Sequence, residues 1–194
     1  AEAGLLGARA WPLPCDVADA EAVERAAAAL SERWPDGADA LVSNAGVFTL
    51  APVHETSPAD FRRALDVNLV APFLFVRALL PAMLERGSGH VVTIGSVADR
   101  NPFPGNGAYA ASKYGARALH EVLRAELRGT GVRATLVSPG PTDTSLWDPH
   151  DPDSRPGFTP RAAMLPAEAV ADAVAYALTQ PQRVNVDEMR ISPT

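Results

Sequence analysis

The feature that most constrains this chain is the alternation of short, strand-like apolar runs with longer stretches of helical pattern. The runs "HVVTIGS" and "VRATLVSPG" are almost entirely apolar, as strands buried on both faces of a parallel sheet are. A long stretch with helical pattern, "NGAYAASKYGARALHEVLRAELRG", lies between them. This order of elements predicts an α/β fold, with helices covering both faces of a parallel sheet.

The same pattern can be followed along the whole sequence. The expected strands are 9–17, 38–46, 90–96, 132–140 and 186–192. The expected helices are 19–34, 57–87, 106–129 and 166–180. Residues 141–165 are rich in proline, aspartate and threonine and are expected to form a loop. No internal repeat or linker divides the chain, so we expect one domain over residues 1–194.

The first long helix carries clear signals at both ends. Ser57 is expected to be its N-cap, and Pro58 occupies the first helical position, where a missing N–H costs nothing. Gly87 is expected to stop it. Because Pro72 and Pro81 fall inside this range, we expect a bend or a break in the helix.

Composition excludes several classes of function. The net charge of −6 provides no basic surface for nucleic acid or an anionic membrane. No apolar run reaches the ~18–20 residues that span a bilayer, and the N-terminus lacks a signal-peptide pattern. The four histidines show no metal-ligand spacing. A single cysteine, Cys15, cannot form an internal disulfide, so we expect a cytoplasmic protein.

Tyr109 and Lys113 are four residues apart in a predicted helix, so both project from the same face. A phenol has a pKa of ~10, and proton exchange near neutral pH requires its anion to be stabilised by ~4 kcal/mol. An ammonium ~4 Å away supplies about this much at an effective dielectric of ~20. Ordinary amphipathic helices also carry such pairs, so the spacing alone leaves both interpretations open.

Other segments place polar groups and glycines where predicted strands end. Ser96 closes "IGS", at the edge where parallel sheets bind ligands, and its hydroxyl could polarise a carbonyl oxygen. "NAG" (44–46) and "PGPTDT" (139–144) follow two other strands. Asn68 lies inside a predicted helix, where asparagine is unfavourable. It either bends the helix beside Pro72 or holds a water in a proton relay.

Together these segments resemble the short-chain dehydrogenase/reductase family. "YAASK" matches that family's Tyr-x-x-x-Lys, and Ser96 lies thirteen residues before Tyr109, as the family requires. Four further segments occur along the chain in the order in which the family has them: "CDV", "NAG", "DVNL" and "PGPTDT". The resemblance covers essentially the whole chain and implies a Rossmann-like, doubly wound parallel sheet in a single domain.

The resemblance also implies an activity and a set of roles. The reaction is hydride transfer between a nicotinamide cofactor and a ketone or secondary alcohol. Tyr109 is the implied general acid/base, and Lys113 lowers its pKa and holds the ribose hydroxyls. Ser96 orients the carbonyl, and Asn68 anchors a water. The other implied cofactor contacts are Asp16 and Val17 at the adenine, Asn44, Ala45 and Gly46 at the adenosine ribose, and Pro139, Gly140, Thr142 and Thr144 at the nicotinamide.

One departure from the family concerns the N-terminus. The family begins with a strand, a glycine-rich turn, a helix and a second strand, whereas the early glycines here are Gly4 and Gly7. We therefore expect an N-terminal β-α-β segment to be missing, leaving a gap between the strand ending at Cys15 and that at 40–44. A fragment is the favoured interpretation, and a repacked short variant is the alternative. The determinant of NAD or NADP choice falls in that segment, so NADP is favoured by family frequency alone.

The loop over 141–165 contains Trp147, Phe158 and Met164. It is either a surface loop with packing anchors or a lid over the substrate, in which case Trp147 and Phe158 indicate an apolar or aromatic wall. The substrate stays open among 3-oxoacyl thioesters, sugars, steroid-like ketones and small aromatic ketones. The family implies a homodimer or homotetramer. The alternatives in function are a non-catalytic nucleotide-binding regulatory protein and an inactive fragment.

Overall fold

A computed structural model describes residues 10–194 of the chain, so Gly4 and Gly7 lie outside the described residues. Its helices are α1 (Ala20–Arg33), α2 (Pro58–Leu65), α3 (Ala71–Arg86), α4 (Gly107–Glu126) and α5 (Ala167–Thr179). Its strands are β1 (Ala40–Ser43), β2 (Gly89–Ile94), β3 (Val132–Pro139) and β4 (Glu188–Ile191). From residue 19 onward each of these elements lies inside its predicted range, apart from Gly89 at the start of β2, with ends up to three residues shorter.

The four strands form one parallel sheet in the order β1-β2-β3-β4. Adjacent residues of β2 point to opposite faces. Val91 packs with Met83 of α3 and Leu123 of α4 in one buried cluster. Val92 packs with Ala173 of α5 in a second. Because helices bury both faces of a parallel sheet, the predicted α/β fold is confirmed.

The strand predicted over 9–17 is wrong for its described part. Residues 10–16 have no regular structure, and residue 17 lies in a turn that precedes α1. Pro12 and Pro14 lack the backbone N–H groups that a ladder requires, which disfavours a strand there. Within residues 10–194, β1 is therefore an edge strand that pairs with β2 alone.

The ends of the first long helix are confirmed. The Ser57 hydroxyl accepts a hydrogen bond from the backbone N–H of Asp60 at 3.0 Å, and Pro58 begins the helix. Gly87 ends it in the left-handed conformation, with φ of 65°. Only glycine adopts that conformation without steric cost, so the stop is built into the sequence.

The predicted interruption is a π-helical turn over Asp66–Val70, between α2 and α3. Asn68 lies at its centre, and Pro72 follows two residues after its end, where proline cannot donate a hydrogen bond back to the preceding turn. Pro81 lies inside α3 without ending it. A π turn releases backbone groups from the regular helical ladder and is frequent at functional sites.

The helical run Pro58–Arg86 also has the length and mean hydropathy, 1.8, of a segment that could cross a membrane. Core helices of soluble proteins have the same properties. Here Ala71, Leu79 and Met83 are buried in the α/β domain, and Arg77 lies in the middle of the apolar stretch. Length and composition therefore give weak evidence for a membrane span.

Candidate active site

The carboxyl ends of β1, β2 and β3 open onto one cavity of about 760 Å³. Helix α4 contributes its first two turns to the same wall, since Tyr109 and Lys113 project from one face of it. The structure thus brings together most of the site residues predicted from the sequence. Those that line the cavity are Asn44, Gly46, Ser96, Tyr109, Lys113, Pro139, Gly140, Thr142 and Thr144.

Four predicted residues do not line this cavity: Asp16, Val17, Ala45 and Asn68. Asp16 and Val17 precede α1, and the Asp16 carboxylate accepts the backbone N–H of Ala18 at 3.0 Å. That bond shapes the turn into α1 and leaves the residue exposed. The adenine contact inferred for Asp16 and Val17 stays a prediction.

Asn68 is 2% exposed and binds two other segments. Its Oδ1 accepts the backbone N–H of Val47 at 2.9 Å, and its Nδ2 donates to the Val47 carbonyl at 3.0 Å. Its Nδ2 also donates to the Ser112 hydroxyl at 2.9 Å, and that hydroxyl donates to the Tyr109 carbonyl at 2.7 Å. Asn68 therefore ties the segment after β1 to the turn of α4 that carries Tyr109.

Ser96, Tyr109 and Lys113 converge from two elements. Ser96 follows β2, and its hydroxyl accepts the backbone N–H of Ala98 at 3.1 Å. The Lys113 ammonium is buried and donates to the Ile94 carbonyl at 2.8 Å. Its Nζ lies 5.7 Å from the centroid of the Tyr109 ring. Two hydroxyls and one ammonium therefore face the same cavity.

The pKa values follow burial more than pairing. Burial raises the pKa of Tyr109 above its usual value, and the Asp99 carboxylate adds to the increase, while a hydrogen bond with Ser96 opposes it. Burial lowers the pKa of Lys113 to about 8, against the attraction of Asp99. Burial, Ser96 and Asp99 set the direction of the Tyr109 pKa in this structure, so the lowering of the phenol pKa expected from Lys113 stays a prediction.

Asp99 is a site residue that sequence reasoning missed. It is fully buried, and its Oδ2 accepts a hydrogen bond from the Ser138 hydroxyl at 2.9 Å. Its Oδ1 lies 3.4 Å from Nε of Arg100. A side chain on Gly95 would meet both Ser138 and Asp99 within 3.0 Å, so this packing requires glycine. The available signal was spacing, since Asp99 follows Ser96 by one short helical turn.

The sequence also missed the aromatic residues around Tyr109. Phe48, four residues after the start of "NAG", and Phe103 both line the cavity, as does the predicted Trp147. The Phe48 ring lies edge-on to Tyr109, with ring centroids 4.8 Å apart. Loop positions have no periodicity, so no pattern marked Phe48 or Phe103 as facing the site.

The loop over 141–165 folds over this end of the cavity. A parallel bridge between Thr142 and Leu165 closes its base. Arg161 binds Asp143 at 2.7 Å and also binds Asp148. The loop is thereby held in one shape, with Trp147 on its cavity side.

Comparison with known proteins agrees with this arrangement. The family model for short chain dehydrogenases matches residues 1–155. The chain is 34% identical over 193 residues to the NADP-dependent 3-hydroxy acid dehydrogenase YdfG of Salmonella typhi, covering 97% of this chain and 77% of that protein. It is 38% identical over 181 residues to the glycine betaine reductase ATRR of Emericella nidulans, covering 92% of this chain but 14% of that protein.

Among solved structures, the fold is similar to that of a metagenomic short-chain oxidoreductase in complex with NADP. The TM-score is 0.74 at 32% sequence identity, and the match covers 93% of this chain and 72% of that one. The Rossmann-like arrangement inferred from the sheet and its two helical layers is thus shared with a solved structure that binds a nicotinamide dinucleotide.

Proposed function

Because this chain belongs to the short-chain dehydrogenase family, we propose that it transfers a hydride between a nicotinamide cofactor and a ketone or secondary alcohol. One observation carries the proposal. The hydroxyls of Ser96 and Tyr109 and the ammonium of Lys113 share a single cavity at the carboxyl ends of parallel strands. Ligands of open α/β sheets bind at that edge.

The residues present fit a nicotinamide nucleotide. A cavity of about 760 Å³ lies within the size range of small-molecule and cofactor sites. Asn44 and Gly46 line it beside β1, and Gly140 and Thr142 line it beside β3. NADP is favoured over NAD because one relative is named NADP-dependent and one structural neighbour holds NADP. When bound, the cofactor supplies or accepts the hydride.

The chain's own residues handle the proton. In ketone reduction, hydride adds to the carbonyl carbon, the carbonyl oxygen takes the Tyr109 phenolic proton, and an alcohol forms. Ser96 donates a hydrogen bond to that oxygen, and Lys113 stabilises the phenolate that remains. The raised pKa of Tyr109 keeps the phenol protonated at neutral pH, which suits an acid in the reductive direction.

The assembly is part of the same proposal. Val70 and Phe73 on the first long helix, and Tyr114 and Val122 on α4, are large side chains that remain exposed. Two helices with exposed apolar side chains suit contact with a second copy of the chain. A homodimer or homotetramer built on these helices follows.

Cofactor titration tests the proposal. We expect NADPH, and more weakly NADH, to bind the purified protein, with a change in nicotinamide fluorescence, and a panel of ketones to oxidise the bound cofactor. Binding without turnover on any ketone would favour the regulatory alternative. Absence of binding by either nucleotide would contradict the proposed function for this chain and favour the inactive-fragment alternative.

Asp99→Asn is expected to shift the pH profile of kcat/KM to lower pH. The replacement keeps an oxygen for the Ser138 hydroxyl but removes the charge that raises the pKa of Lys113. The pKa of Lys113 then falls below about 8, and the active ammonium is lost at lower pH. The pKa of Tyr109 falls as well, because Asp99 raises it.

The charged residues around Asp99 are kept in the variant, so that the change in the pH profile reports the loss of the Asp99 charge. Arg100 contacts Asp99 directly and also pairs with Glu188, so both remain in the variant. Asp36→Asn, in the exposed turn after α1, removes the same charge from a segment that does not line the cavity. The alkaline limb of the kcat/KM profile should move to lower pH in the Asp99 variant and stay in place in the control. An alkaline limb at the same pH in both variants would contradict this prediction.

A further inference from the structure

We infer that the substrate is a neutral ketone with an aromatic or similarly bulky apolar group beside the carbonyl. This inference rests on the proposed function and assigns a substrate class to the same site. It depends on two independent features of the cavity. One is a continuous set of aromatic rings next to Tyr109. The other is that the cationic side chains in and around the cavity already have hydrogen-bond or ion-pair partners.

The aromatic rings come from three separate segments and contact one another in series. The Phe48 centroid lies 4.8 Å from Tyr109 and 5.0 Å from Trp147, with the rings edge-to-face in both pairs. Phe158 lies 6.0 Å from Trp147 and 5.8 Å from Phe103. Phe48, Phe103 and Trp147 line the cavity, and Phe158 connects the last two.

This set of rings, which we call the aromatic wall (Phe48, Phe103, Trp147 and Phe158), is supported from behind by other side chains. The imidazole of His150 hydrogen-bonds the Phe48 carbonyl at 3.2 Å and lies 5.1 Å from the Phe48 ring. Arg161 holds the loop that carries Trp147. A preformed apolar wall gives most of its binding energy to a flat or bulky apolar group, because little ordering is required on binding.

The scarcity of cationic side chains in the cavity disfavours substrates that carry a carboxylate. Within residues 10–194, Lys113 is the one charged side chain that lines the cavity, and its ammonium donates to Ile94. Arg100 and Arg161 are each paired with carboxylates. A carboxylate on the substrate, set against the aromatic rings, would lose water without gaining a cation partner among the described residues, at a cost of several kcal/mol.

The relative from Salmonella typhi is named for 3-hydroxy acids, which carry a carboxylate. The cavity described here keeps the groups that handle a carbonyl, Ser96 and Tyr109, beside the aromatic wall. The substrate class inferred here thus differs from the one in that relative's name by lacking a carboxylate.

A matched pair of ketones tests the inference. With NADPH, kcat/KM for methyl 4-acetylbenzoate should exceed that for 4-acetylbenzoate, which differs by the ester alone, by about 100-fold. It should also exceed that for 2-butanone, which has no bulky or aromatic group to pack against the aromatic wall. Equal values for ester and carboxylate would overturn the substrate class while leaving the proposed function intact. Bound cofactor with no turnover of any ketone would end both.

Two substitutions give independent readouts. Trp147→Ala should raise KM for the ester about tenfold and leave KM for 2-butanone unchanged. The control is Trp34→Ala, which changes an exposed tryptophan at the C-terminal end of α1 and should change neither KM value. Phe103→Arg supplies the absent cation and should narrow the ester-to-carboxylate ratio at least about tenfold. An unchanged KM in Trp147→Ala and an unchanged ratio in Phe103→Arg would each contradict the inference.

Discussion

Replacing Tyr109 with phenylalanine is expected to lower kcat/KM for ketone reduction by about 10³-fold while leaving the Kd for NADPH within twofold. The change removes the phenolic proton and the hydrogen bond with Ser96. It keeps the ring that packs against Phe48 and lies over Lys113. Proton transfer is thereby lost without disturbing the cavity wall, so the loss should fall on kcat more than on KM.

The same helix offers a matched control. Tyr114 is largely exposed, and its hydroxyl donates to the Arg100 carbonyl at 2.7 Å. Tyr114→Phe makes the same chemical change five residues further along, and should leave kcat/KM within about twofold. If Tyr109→Phe kept more than a tenth of the activity, another group would have to supply the proton.

The fold was predictable because its information is local and periodic. The apolar runs of β2 and β3 are buried on both faces, and the ends of the first long helix are set by Ser57 and Gly87. The strand expected over 9–17 failed because apolar character was weighed above the two prolines, which cannot donate to a ladder. Whether such a segment forms a strand depends on a neighbouring strand with which it can pair, and the local sequence does not specify that neighbour.

The site was predictable where its residues sit at strand ends or at helical spacing. Ser96, Tyr109 and Lys113 belong to this group, and the structure brings all three to one cavity. Phe48 and Asp99 could not be found in the same way. Phe48 faces Tyr109 through the path of an irregular loop, and Asp99 acquires its importance from burial beside Ser138, a residue of another strand. Both depend on tertiary packing.

Two buried histidines are expected to make the stability of the domain fall steeply in acid. His90 and His120 are each 2% exposed, and one nitrogen of each hydrogen-bonds a buried threonine, Thr135 at 2.8 Å and Thr93 at 2.9 Å. Burial lowers the pKa of both from 6.5 to about 4. Arg133 and His120 add to the decrease at His90, and Arg124 adds to it at His120. The folded domain therefore holds both imidazoles neutral.

Between pH 6.5 and 4 the unfolded chain protonates these histidines and the folded chain does not, so their stabilisation is complete above pH 6.5 and is lost as pH falls toward 4. Each contributes about 3 kcal/mol at full extent, and the free energy of unfolding should fall by about 5 kcal/mol from pH 7 to 4.5. A change of this size removes much of a typical domain's stability.

Other perturbed groups leave this window clear. The lowered pKa of Lys113 acts near pH 8 and above, and that of Glu188 acts below its usual value of 4.5. Urea unfolding at intervals from pH 7 to 4.5 measures the effect. His120→Gln should roughly halve the slope of the unfolding free energy against pH, whatever the stability of that variant at pH 7. His54→Gln, at an exposed site, should keep the slope of the parent protein. A flat free energy between pH 7 and 5 in the parent protein would show that the buried imidazoles accept protons without cost.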